Sequence, residues 1–258
     1  RVSGTNPQFN DFGGWFDLNH DRERLVNRLA INREKKNIFL FSNIYWDVGI
    51  SDYGGLYEGV IEWVLDTIKI CENNDDLHLY IKIHPAEIFD SSSSIKGIHQ
   101  IIKDNYPKLP KNLTIILPDH KISPYELFEF IDLGVIFNGT IGLEMMLQGI
   151  PIIATGRTVF GESNLCEEPR ARQNYAQLLK QMEPHKKPPD NQVHLFAYFY
   201  FIKTLIPWNL TKNAYKASID DGLNYKDIKS LEANKDKYLD HICRHVLNPE
   251  VIGIDNWD

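Results

Sequence analysis

Only three cysteines occur in the 258 residues of this chain: Cys71, Cys166 and Cys243. They are odd in number, widely separated and outside any CxxC pattern, which argues against a disulfide framework and a structural zinc site. A reducing, cytoplasmic setting is expected from this usage. Basic excess is missing as well. There are 35 acids against 28 bases, a formal charge of −7, so a general nucleic-acid binder is not expected, although a local basic pocket is allowed. Long apolar runs are also missing. The longest, Val193 to Trp208, is interrupted by His194 and Lys203 and falls short of the ~20 residues of a membrane span. It reads as a buried aromatic helix, or else as a surface that meets another domain or a membrane interface. Neither GxGxxG, a P-loop nor a GxSxG elbow is present. No internal repeat is found, and Ser91–Ser94 is the one low-complexity run. The sequons at Asn112, Asn138 and Asn209 are read as chance.

What is present is an ordinary globular composition, 43% hydrophobic, in a chain long enough to bury its own core. Residues 1–36 read as a polar lead-in arm with one amphipathic stretch, "RERLVNRLAI". An alternation then begins. "NIFLF", "LHLYIKI", "NLTIIL", "GVIF" and "IPIIA" read as strands. Apolar runs on both faces mark them as buried and parallel. Between them lie helical periods. Leu56, Val60, Trp63, Val64, Thr67 and Ile68 share one face, and Glu58, Glu62 and Asp66 share another, read as solvated. Ile95, Ile98, Ile101 and Ile102 mark a second helix. "SPYELFEFI" opens with a serine cap and a proline, and "TIGLEMMLQ" is closed by Gly149. The fold expected is α/β: a doubly wound, Rossmann-like parallel sheet over residues 37–165. After Thr155 no further strand is expected. Helices are predicted at 166–182, 190–206 and 225–247, packing on the sheet domain.

In open α/β sheets, ligands bind beyond the carboxyl ends of the strands. That rule selects Asn43–Asp47, His84–Glu87, Pro118–His120, Asn138–Glu144 and Thr155–Arg157. The turn Asn138-Gly139-Thr140 before a helix has the form of an anion site, because N–H groups and the positive end of the helix dipole face the cleft. Gly139 and Gly142 would let a ligand approach, Thr140 adds a hydroxyl, and Glu144 lies one turn in, within reach of a ribose diol. The alternative is a plain helix cap with an exposed acid. His84 ends a strand. It could be a backbone-bonded histidine, a general base or an anion contact; the anion contact is favoured because Lys82 alternates with it. A metal role is disfavoured, since no second ligand stands at the right spacing.

"IKIHPAE" (82–87 with Ile81), followed by "NGTIGLEMMLQGIPIIATG", with "FLFSNIYWD" and "EWVLDTI", resembles the nucleotide-binding half of GT-B glycosyltransferases. The likeness is to the bacterial capsule and lipopolysaccharide group that includes the Kdo transferases, and it runs over about residues 37–205. The resemblance implies a sugar transfer from a nucleotide-activated donor to a glycan or glycolipid acceptor, inverting and metal-independent. No cofactor beyond the donor is implied. It places His84 and Thr140 on the donor phosphate and Glu144 on the ribose. Lys82, Asn138, Gly139 and Gly142 would lie nearby, and backbone at Pro118 and Asp119 would meet the nucleobase. His84 would carry catalysis by stabilising the departing phosphate. The family uses two Rossmann-like domains, so a second domain is an expected partner and residues 1–36 its tail. Peripheral association with the inner face of a membrane is a further expectation. The middle motif departs from the commoner Ser-Thr or Ser-Ser pair and leaves the nucleotide (CMP, UDP or GDP) unassigned. Two alternatives stand beside this reading: a nucleotide-sugar 2-epimerase, against which Met145 after Glu144 counts, and a non-catalytic nucleotide-sugar-binding or docking domain.

Overall fold

A computed structural model of the chain describes residues 22–46, 55–88, 96–120, 122–206 and 228–248. The expectations for residues 1–21, Asp47, Ser91–Ser94, Ile95, Trp208, Asn209 and residues 225–227 fall outside the described residues.

Five short β-branched and aliphatic runs form one sheet. They are β1 (Lys36–Phe41), β2 (Leu77–Lys82), β3 (Leu113–Ile116), β4 (Leu133–Ile136) and β5 (Ile152–Ala154). The order is β3-β2-β1-β4-β5, and all four pairings are parallel. Every residue of β1, β2 and β4 is buried, as expected for strands covered on both faces. The register sets Phe41 beside both Lys82 and Ile136, and Lys82 beside Ile116. Four strands therefore end level, and the loops that follow them share one edge.

Helices lie on both faces, which bears out the doubly wound α/β expectation. The amphipathic stretch of the lead-in forms α1 (Arg22–Leu29), with Leu25 and Leu29 buried. α2 (Val60–Cys71) and α3 (Ile98–Asn105) follow β1 and β2. α4 (Pro124–Leu127), extended by a 3-10 turn (Phe128–Phe130), follows β3; α5 (Ile141–Met146) follows β4. α6 (Arg172–Lys180) packs on α2. On that face Leu77, Leu79 and Ile81 meet Trp63, Val64, Ile68 and Leu179. The buried polar groups there are paired: the Trp63 indole donates to Tyr175 Oη at 3.1 Å, and Thr67 Oγ1 lies 2.7 Å from the same oxygen. The other face carries a stack of His78, Tyr80 and Phe39 rings, with centroids 4.5 and 4.4 Å apart.

Sequence expectations change at several points. Strand pairing does not stop at Thr155: Glu167 runs parallel beside Ile153, exchanging hydrogen bonds with Ile152 and Ala154. The helix predicted from 166 therefore begins at Arg172. The acidic face of α2 is not simply solvated, since Glu62 pairs with Arg172 at 2.6 Å and Asp66 accepts from Tyr57 Oη at 2.6 Å.

The chain divides into two compact units, Arg1–Val193 and His194–Asp258. The second unit contains the end of α7 (Asp190–Tyr198), a π turn (Phe199–Lys203), a 3-10 turn (Ile228–Leu231) and α8 (Lys237–Leu247). Asp236 caps α8 by accepting from Tyr238 and Leu239 N–H. The aromatic segment expected to be buried is open instead, with Leu195 and Ile202 exposed by 70% and 59%. Among its described residues, Val193 and Ala197 are the buried ones.

Candidate functional site

β1 and β4 are neighbours, yet the chain leaves them in opposite directions, towards β2 and towards β5. This is the switch point where open α/β sheets bind ligands. Three loops meet at it and are tied by hydrogen bonds. Ser42, following β1, accepts the His84 N–H on its Oγ at 3.0 Å. Asn43 donates from Nδ2 to Asn138 Oδ1, following β4, at 2.6 Å. The ends of β2, β1 and β4 thus form one connected ledge. Its outer strands are two inter-strand spacings apart, about 10 Å.

His84 sits at one end of this ledge, half-buried. Pro85 opens a turn (Pro85–Ile88) that brings the Ala86 N–H back onto His84 Nδ1 at 3.1 Å. A neutral imidazole that accepts at Nδ1 carries its hydrogen on Nε2. The ring is therefore set as an N–H donor, suited to an anionic oxygen and poorly suited to removing a proton.

The Asn138-Gly139-Thr140 turn sits at the other end. Gly139 has φ of 109°, a conformation that L side chains rarely adopt. Thr140 stands at the start of α5, and its side chain does not cap the helix. Its hydroxyl donates instead to Glu144 Oε1 at 3.3 Å, and Tyr125 Oη donates to Glu144 Oε2 at 2.6 Å. Gly142 does not belong to the ligand side. A β-carbon there would lie 2.5 Å from Ile136 Cδ1 and 2.9 Å from Phe160 Cζ. The missing side chain lets α5 press onto the sheet, which corrects its expected role.

Lys82 is also displaced from its expected place. It is 3% exposed and lies on the face of β2 opposite Ile81. Burial pulls its pKa down to about 8, against the opposing pull of Glu126. It is a cation beneath the ledge, not on it. Pro118 is buried and Asp119 exposed in a turn closed by His120 N–H on Leu117 O at 3.1 Å. Glu87 is a helix cap: its Oε2 accepts the Ile98 N–H at 2.9 Å, and burial raises its pKa to about 7. Asn112 is buried, with its amide on Cys71 and Asn74 carbonyls.

Among the described residues no group of three or more His, Cys, Asp or Glu could hold a metal ion. A separate groove of about 480 Å³ lies along α2, lined by Glu62, Asp66, Glu72, Lys69 and Arg172. Three acids against two bases make it a poor host for phosphate. Sequence reasoning passed over Ser42 and Tyr125 and left Asn43 without a role. Asn43 lay in a loop marked by the strand-end rule. Tyr125 gave no local signal, because it meets Glu144 across nineteen residues of sequence.

A parallel α/β sheet in the order β3-β2-β1-β4-β5, with polar groups gathered at its switch point, defines a Rossmann-like fold class. Residues 18–202 match the model of the capsule polysaccharide biosynthesis protein family, and the chain belongs to that family. Among solved structures the chain is similar to the Thermosulfurimonas dismutans KpsC beta Kdo 2,4 transferase, at 12% identity and a TM-score of 0.43 over 70% of this chain and 57% of that one. It is also similar to the wall teichoic acid polymerase TagF, at 15% identity and 0.42 over 75% and 44%. A third is the UDP-GlcNAc 2-epimerase from Neisseria meningitidis, at 12% identity and 0.34 over 70% and 40%. The chain thus covers 40 to 57% of the length of these structures. A search of curated proteins returns no match.

Proposed function

We propose that this chain is the donor-binding part of a glycosyltransferase of capsule-type polysaccharide synthesis, taking a nucleotide-activated sugar and passing it to a glycan or glycolipid acceptor. The observation that carries the reading is the ledge itself: His84, Ser42, Asn43, Asn138 and the Thr140 turn, linked across three strand ends. Its groups are hydrogen-bond donors and helix-start N–H groups, the chemistry that receives phosphate. In the proposed reaction the bond from the sugar's anomeric carbon to the donor phosphate breaks as the acceptor oxygen attacks. Negative charge then grows on the departing phosphate oxygen. His84 Nε2–H and the N–H groups at Thr140 stabilise that charge, and donors held in place before reaction do so without reorganising. Inverting stereochemistry and independence of metal belong to the same proposal. The base that activates the acceptor is assigned to a second Rossmann-like domain. Work at the inner face of a membrane is a further part of the reading, and no helix among the described residues is long and apolar enough to cross one.

Calorimetric titration with CMP-, UDP- and GDP-linked sugars tests it. One nucleotide class is expected to bind, with His84→Ala weakening it by about 10- to 100-fold, the loss of a charge-assisted hydrogen bond of about 1.5–3 kcal/mol. Unchanged affinity in His84→Ala would remove the site assignment. Release of a free epimerised sugar, or no binding to any nucleotide, would remove the transferase reading.

A further inference from the structure

Glu144 does not stand alone at the ledge. Tyr125 Oη meets one of its oxygens at 2.6 Å and Thr140 Oγ1 the other at 3.3 Å. A free glutamate side chain has three rotatable bonds and loses up to about 2 kcal/mol of rotamer freedom when fixed. Here the carboxylate is held from both sides before any ligand arrives.

Tyr125 is itself anchored. It is the second residue of α4, whose start is closed by a reciprocal capping box between Ser123 and Glu126. Its backbone N–H donates to Ser123 Oγ at 3.3 Å, and its ring packs edge-on to Phe128 at 5.5 Å. The tyrosine spends only two side-chain torsions on the contact. Tyr125 is 42% exposed, and its hydrogen bond to Glu144 lies at the surface. At the surface both groups have water as an alternative partner, so the net gain in fold stability is small beside the gas-phase strength of the bond, and the contact's specific effect is on the direction of the carboxylate.

We infer that Tyr125 is a positioning residue for ribose recognition, holding the Glu144 carboxylate in the orientation that receives the cis-diol of a ribonucleotide. The inference rests on the reading of Glu144 as the ribose-binding acid. An ionised carboxylate accepts about four hydrogen bonds, so a positioning contact and a ligand contact can share it. Fixing the acceptor beforehand removes an ordering cost from binding, and that gain is felt only by a ligand that has the diol.

The test pairs each of CMP, UDP and GDP with its 2′-deoxy counterpart, measured by calorimetry on the wild-type chain, Tyr125→Phe, Glu144→Gln and the double variant. Tyr125→Phe keeps the ring on Phe128 and removes one oxygen, and an unchanged melting temperature certifies its fold. The expected result is a preference for the ribonucleotide that falls by about 5- to 20-fold in Tyr125→Phe, with affinity for the deoxynucleotide shifted by less than about twofold. The double variant is expected to discriminate no less than Glu144→Gln alone, because the two residues act through one carboxylate. Loss of discrimination in Glu144→Gln with full discrimination in Tyr125→Phe would overturn the role of Tyr125 and leave the ribose reading standing. Discrimination retained in Glu144→Gln, or no nucleotide bound by the wild-type chain, would overturn the reading beneath it.

Discussion

Lys82 shows how far residue type alone can mislead about location. At a strand end beside a histidine, a lysine suggests an exposed anion contact. The register of β2 instead turns it to the face opposite Ile81, 3% exposed, with its pKa drawn down to about 8. A buried ammonium is retained at a cost, and replacement by an apolar chain of similar length is often stabilising. Lys82→Met is expected to raise the free energy of unfolding at pH 7 by about 1–4 kcal/mol, read from denaturant titrations. The sign follows from proton binding. Between about 8 and the unfolded value of 10.5 the unfolded wild-type chain holds a proton that the native chain has released, so wild-type stability recovers with rising pH. The variant's advantage is therefore full below pH 8 and shrinks towards pH 10.5. An advantage that is constant with pH, or a destabilised variant, would contradict the account. His84 is the opposite case. Its strand-end position was legible, while its donor character was not, since that depends on the Ala86 N–H folding back onto Nδ1.

At the scale of elements, the strands and the helices between them were legible because each carries its own period. The segment beside β5 was not. "CEEPRAR" has no alternation, and it pairs with Ile152 and Ala154 through backbone alone, which side-chain patterning cannot signal. Helix caps supplied from elsewhere were equally hidden. α3 is preceded by Gly97, which offers no side-chain cap, and the acceptor for the Ile98 N–H comes from Glu87, eleven residues before Ile98. Glu87 has its pKa raised from 4.5 to about 7, chiefly by burial. Between those values the native state keeps a proton that the unfolded state has lost, so this group makes stability fall as pH rises from 4.5 to 7. Glu87→Gln retains an oxygen for the Ile98 N–H and cannot ionise. It is expected to be more stable than wild type at pH 7.5, with the difference vanishing near pH 4 in thermal melts. A variant less stable than wild type at pH 7.5 would show that the cap needs the charged carboxylate.

At the scale of the whole molecule, the candidate site was legible as a set of loops but not as a connected object. The strand-end rule marked loops after each strand; the structure links three of them through Ser42, Asn43 and Asn138 and brings in Tyr125 from α4. Those links depend on strand order, and the β3-β2-β1-β4-β5 order is a tertiary fact. The α2 groove, a competing concavity of about 480 Å³, lies on a helical face among acids. Hydrogen exchange with and without the nucleotide sugar that binds separates the two places directly. The expected result is slower exchange in residues 42–46, 83–87 and 137–144, with none along α2 or α6. Protection confined to the groove at Glu62, Asp66 and Arg172, with the three strand-end loops unchanged, would contradict the central claim that the ledge is the donor site.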